Sequence, residues 1–230
     1  MDIYTYLDEN FDHILVWDYE FQQLDGCNPS PVCLTVKDLK NGDVKQQWLV
    51  GRDASFPFPV AKSLLIGHYV SAEASCYLHQ ESELPKLWYD TFVEEKKLYS
   101  GLKNYRFDLY SSCHRYNIDT LSQVIKDAKR KLIINNYPKY TETEKAEILE
   151  YNLSDVLVNE KLFRGQLNKA QSDKVNYKTF LSQAIFHGRS KALCAKIQRN
   201  GIPINLKLHK DLETYYPEVK KLEMEELNKK

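Results

Sequence analysis

The sequence predicts an α/β fold: a mixed sheet of three antiparallel strands followed by parallel ones, flanked by helices, with a helical C-terminal part. Three observations predict it. Short apolar, β-branched runs at hairpin spacing fill the first third of the chain. Strand and helix patterns then alternate to about residue 100. Beyond that point apolar residues recur at helical spacing and strand patterns cease.

Ile14 to Trp17 is an apolar run ending at an acidic pair, the pattern of a buried strand. Val32 to Leu39 alternates in part, and Val44 to Val50 follows it. Asn41-Gly42 between them is a strong hairpin signal, because both residues tolerate positive φ. Pro57 and Pro59 mark a turn. Leu64 to Val70 predicts a fourth strand, and Ser71 opens a helix to about Gln80. Lys86 to Tyr89 predicts a short fifth strand before a helix from Asp90 to Tyr99. Thr141 and Glu144 have capping-box spacing and open a helix to about Phe163. Phe180, Leu181, Ala184, Ile185, Ala192, Leu193 and Ile197 define a second long helix, which should stop near Gly201 with Pro203 just beyond. In the charged stretch from 206 to 230, Pro217 is expected to separate two short helices. The organisation expected is a core over residues 1–165 and a helical extension over 166–230.

The chain has 230 residues, of which 43% are hydrophobic, enough for a real core. Nothing approaches the roughly 18 consecutive apolar residues of a membrane helix, and the acidic start MDIYTYLDEN has no signal-peptide character. The five cysteines are scattered and odd in number, which suggests reduced thiols and a cytoplasmic protein. Lys plus Arg and Asp plus Glu both number 32, so no basic excess announces a non-specific nucleic-acid binder. A site built on carboxylates remains compatible with that balance, since bound metal offsets such charge.

Chemistry concentrates in three separated places. Asp18 and Glu20, at i and i+2 of the first strand, share one face. Paired carboxylates of this kind need a cation between them, and oxygen ligands select Mg²⁺ or Mn²⁺. Glu73 closes LIGHYVSAE, near a predicted helix start where a carboxylate is favoured. Tyr151 and Asp155 lie four apart on a predicted helix and so on one face. Each motif alone has an ordinary reading: an exposed acidic pair, a first-turn glutamate, a helix surface.

Together, in this order, the motifs resemble the DnaQ-like, or DEDD, exonuclease superfamily and its RNase H-like fold. The tyrosine four residues before the last aspartate resembles the DEDDy subclass. Ser71-Ala72-Glu73, the pair Asp90 and Glu94, and the run KALCAKIQRNGIPIN from Lys191 to Asn205 are similar to the proofreading region of DNA polymerase I-like (family A) proteins of phage and bacterial type. The third carboxylate departs from that pattern, being glutamate where most such enzymes carry aspartate.

The resemblance implies metal-dependent 3′–5′ removal of terminal nucleotides from single-stranded or frayed DNA. It implies two Mg²⁺ or Mn²⁺ ions held by Asp18, Glu20, Glu73 and Asp155, with Tyr151 positioning the attacking water. Asp18 would bridge the ions, Glu20 and Asp155 would complete the water-activating site, and Glu73 would serve the second ion. The implied partners are single-stranded DNA or DNA 3′ ends and a polymerase domain or subunit, with no membrane. Two alternatives stand beside it: a ribonuclease of the same fold, and a catalytically silent module that binds nucleic acid or docks on a polymerase.

Overall fold

The computed structural model describes residues 2–81, 83–103 and 105–229. Helix α1 (Ile3–Asn10) precedes the sheet, its N-terminus capped by Asp2, whose carboxylate accepts from the Tyr4 and Thr5 amides. The polar N-terminal sequence gave no sign of this helix. Ile3 and Leu7, four apart, anchor it in the core. Strands β1 (His13–Gln22), β2 (Ser30–Asp38) and β3 (Val44–Trp48) form an antiparallel meander. The Asn41-Gly42 turn joins β2 to β3, with Gly42 at φ 81°. Strand β4 (Ser63–Gly67) pairs parallel with β1, and β5 (Trp88–Asp90) parallel with β4. The sheet order is β3-β2-β1-β4-β5, the mixed sheet expected from the sequence.

Helix α2 (Val70–Gln80) makes the crossover between the parallel strands. Helices α3 (Thr91–Leu98), α4 (Leu109–Arg115), α5 (Gln123–Asn136), α6 (Glu142–Ser172) and α7 (Tyr177–Asn200) follow. Both halves of the expected Thr141–Glu144 capping box are formed. Helix α6 runs on past Phe163 to Ser172, because Phe163, Leu167 and Ala170 continue its buried stripe.

β1 is central and buried on both faces, and its period-two alternation explains where everything else packs. Leu15, Trp17 and Tyr19 point to a core shared with Leu34, Val36, Leu65, Tyr77 and Trp88. Ile14 and Val16 point the other way, to a core with α1, Val156 and Phe163 of α6, and Phe180 and Ala184 of α7. Asp18 and Glu20 continue the parity of Ile14 and Val16, so they emerge on the face that α6 covers.

The chain forms two compact units, Met1–Arg199 and Asn200–Lys230. The boundary between them lies at the C-terminal end of α7, and residue 165 lies within the continuous helix α6. The second unit is a single helix, α8 (Leu206–Leu227), capped by Asn205. Pro217 lies inside it and does not split it as the sequence suggested; the loss of one amide donor leaves the rest of the helical ladder intact. All five cysteines are free. Among the described residues no helix is long and apolar enough to cross a membrane.

Candidate functional site

The site begins where the β1–β2 ladder breaks. Register is regular up to Glu20↔Cys33 and then jumps to Phe21↔Pro31, beside a proline that has no amide to donate. Such a bulge bends a strand and re-aims its side chains. Asp18 and Glu20 sit immediately before it, half-buried, on the α6 face.

Glu73 arrives from α2, the helix that follows β4. Tyr69, at φ 66°, precedes α2 and offers it no side-chain cap. The cap comes from a distance: Asp90 Oδ1 accepts from the Tyr69 amide and Oδ2 from the Val70 amide, each at 3.1 Å. The same carboxylate caps α3 through Phe92 and Val93. Burial pushes Asp90 up to about 6 against these four bonds. One turn into α2, Glu73 is 4% exposed and its Oε2 accepts from the Tyr19 amide at 2.9 Å. Gly67 makes room for it: a Cβ there would lie 3.3 Å from Glu73 Cγ.

Helix α6 supplies the rest. Tyr151, Asn152 and Asp155 are all buried and lie within one helical turn. Asn152 Nδ2 donates to Asp18 Oδ2 at 2.7 Å and to the Asp18 carbonyl at 3.1 Å, tying α6 to β1. Asp155 Oδ1 accepts from Lys126 Nζ at 2.6 Å. Asp18, Glu20, Glu73, Tyr151 and Asp155 therefore line one open cavity of about 460 Å³, although they span most of the chain. Lys126 and Arg130 enter the same cavity from α5. Phe21, Tyr69, Phe92, Leu109, Ile133 and Ile134 make an apolar wall, in which Tyr69 meets Phe92 edge-on at 5.2 Å.

Crowded carboxylates away from bulk water resist ionising. Burial raises Asp18 to about 8, and the charge of Asp155 adds to this; Lys126, the Asn152 hydrogen bond and Arg130 oppose it. Burial, then Asp18, then Asp155 hold Glu20 well above the usual carboxylate range. Burial and Asp18 raise Glu73, against the Tyr19 amide. Burial, then Glu20, Asp155 and Asp18, keep the Tyr151 hydroxyl protonated far beyond an ordinary phenol. His68 is lowered to about 3 by burial and by Lys126, so its imidazole is neutral; Nδ1 lies 3.0 Å from Thr91 Oγ1.

A four-carboxylate, all-oxygen donor set with this mutual repulsion suits hard divalent ions such as Mg²⁺ or Mn²⁺. Among the described residues, no three Asp, Glu, His or Cys side chains are gathered tightly enough to ligate one ion in the present arrangement. Asp18 is held by Asn152, Glu73 by the Tyr19 amide and Asp155 by Lys126. The donors fit in kind.

Sequence reasoning did not find Asn152, Lys126 or Arg130. Asn152 had a weak signal, three residues before Asp155 on the same helix face. Lys126 and Arg130 had none, being two of 32 basic residues. Asp90 and Glu94 have structural partners: Asp90 caps two helices, and buried Glu94 pairs with His187 and Lys97.

No family model matches the chain, and no curated protein matches it. Among solved structures it is similar to Escherichia coli RNase D, described as an exoribonuclease involved in structured RNA processing. The identity is 15%, the TM-score 0.53, and the match covers 85% of this chain and 48% of that one. The chain thus spans about half the length of that relative. A match to the Aedes aegypti Nibbler EXO domain has 11% identity and a TM-score of 0.40, over 80% of this chain and 91% of the other. The likeness to RNase D shows a shared fold, the mixed-sheet α/β architecture that the sequence resemblance implied.

Proposed function

We propose that the chain is a metal-dependent 3′–5′ exonuclease acting on single-stranded or frayed DNA ends. The observation that carries this reading is the convergence of Asp18, Glu20, Glu73, Tyr151 and Asp155 from β1, α2 and α6 in one open cavity. A silent binding module has no use for carboxylates whose ionisation opposes one another. Asp18, Glu20, Glu73 and Asp155 would hold two divalent ions, Asp18 in common. When bound, such ions activate water and stabilise the leaving 3′-oxygen. Tyr151 is a protonated phenol on the Asp155 face of α6, suited to orient the attacking water. Arg130 offers a fixed positive charge for a non-bridging phosphate oxygen. The wall of Tyr69, Phe92 and Ile134 offers unpaired bases a surface to stack on, which favours single strands over duplex.

A second reading, a ribonuclease, is favoured by one observation: the similar fold of RNase D is described as an exoribonuclease. One experiment addresses both. The protein is incubated with 5′-labelled DNA and RNA oligomers in Mg²⁺, Mn²⁺ or EDTA, and products are resolved on a gel. A descending ladder from DNA that EDTA abolishes is the expected result. A ladder from RNA alone selects the second reading, and no cleavage in either metal rejects both.

A further inference from the structure

Among the described residues, Lys126 is the only lysine or arginine that is buried, at 3% exposure. It lies in the first turn of α5, behind the Ser122 cap, and reaches into the carboxylate cavity. An ammonium has three donors and is strongly hydrated, so burying one needs a strong reason. Here the hydrogen-bond partner is Asp155 Oδ1, at 2.6 Å. The positive charge of Lys126 also acts on Asp18 and Glu20, so one ammonium serves three of the four carboxylates. The apolar anchor of α5 is Ile133, two turns on, in a separate cluster with Val32, Ile148 and Tyr151.

We infer that Lys126 is a tethered counter-ion that occupies Asp155 in the metal-free protein and leaves it when a divalent ion loads, which couples metal loading to the arrival of a substrate phosphate. This rests on the metal-site reading above and adds a regulation to it. An ammonium and a divalent ion repel each other and compete for the same carboxylate. The released ammonium stays in the cavity on its flexible four-carbon stem, and a phosphate there gives it a new partner. Phosphate and metal then favour each other's binding, and by linkage the effect is reciprocal.

The test is Mn²⁺ binding to the full chain, followed by the electron paramagnetic resonance of the free ion, with and without deoxycytidine monophosphate. In the wild type the nucleotide should tighten Mn²⁺ binding. In Lys126→Met, Mn²⁺ should bind about tenfold tighter without nucleotide, since a competing charge is gone, and the nucleotide should add little. Equal Mn²⁺ affinity in the two proteins, with the same nucleotide effect, overturns the inference and leaves the metal site standing. Absence of Mn²⁺ binding by both rejects the metal-site reading itself, and the inference with it. Circular dichroism checks that the variant is folded. A wild-type readout keeps the question open to decision if it is not: acylation of lysine amines, read by mass spectrometry, should find Lys126 protected in EDTA and reactive in saturating Mg²⁺. Unchanged protection overturns the inference.

Discussion

Asp18 is the side chain on which the electrostatics of the cavity turn. Its carboxylate is the first charged contributor to the raised pKa of both Glu20 and Glu73. Asp18→Ala should therefore abolish cleavage, measured on a 5′-labelled strand, while thermal unfolding in EDTA shows an equal or higher Tm. Near-normal cleavage by the folded variant would falsify the proposed chemistry. The pH dependence follows from the same group. The folded chain holds the Asp18 proton up to about 8, whereas the unfolded chain releases it near 3.8. Between those values the native state binds more protons, so stability falls as pH rises. The Tm in EDTA should decline across that window, and Asp18→Asn should flatten the decline; parallel wild-type and variant curves would contradict it. Tyr151→Phe keeps the ring and removes the hydroxyl. Turnover should drop by about 10²-fold with Mn²⁺ affinity little changed, because positioning is lost and no ligand is. Unchanged turnover removes Tyr151 from the mechanism.

At the scale of elements, a few joints set the geometry. Asp90 is one: a single carboxylate accepts four amide bonds and fixes the starts of both α2 and α3. Losing a cap costs about 0.5–2 kcal/mol, and leaving buried amides unpaired adds about 1–3 kcal/mol. Asp90→Ala should thus lower stability by roughly 1.5–5 kcal/mol in urea unfolding. It should also slow cleavage, since Glu73 lies in the first turn of α2. A change under about 0.5 kcal/mol, ordinary for a surface site, would show that α2 does not depend on this cap. Gly188 is another joint. A Cβ there would lie 2.4 Å from the Trp88 carbonyl oxygen, a backbone atom that cannot swing aside. Gly188→Ala should destabilise by about 1–3 kcal/mol through overpacking of α7 on β5, read as a lower urea midpoint. An unchanged midpoint would mean that the close approach is dispensable.

For the whole molecule, the expected polarity is 3′ to 5′. The half-enclosed cavity with its apolar wall suits an unpaired strand end; opening a duplex to reach it costs a few kcal/mol per base. A 5′-labelled oligomer should give a descending ladder, faster with a frayed 3′ end than with a paired one. Comparable cleavage of circular single-stranded DNA would mean an endonuclease using the same carboxylates.

The strands and long helices were legible in the sequence because local periodicity encodes them. Ile14 to Trp17, the Asn41-Gly42 turn and the Thr141–Glu144 box each carry their own signal over a few residues. Helix α1 was missed because only Ile3 and Leu7 mark it, and α8 was cut in two because a proline is a strong local signal whose effect here is slight. The acidic and tyrosine positions were also readable, since residue type and spacing survive without coordinates. Their meeting was not. It needs the parity of β1 to turn Asp18 and Glu20 toward α6, the remote Asp90 cap to start α2, and Asn152 to bind β1. Lys126 shows the limit most plainly. Among 32 like charges, the one that faces the carboxylates is picked out by long-range packing, 29 residues from its partner, and no local pattern records it.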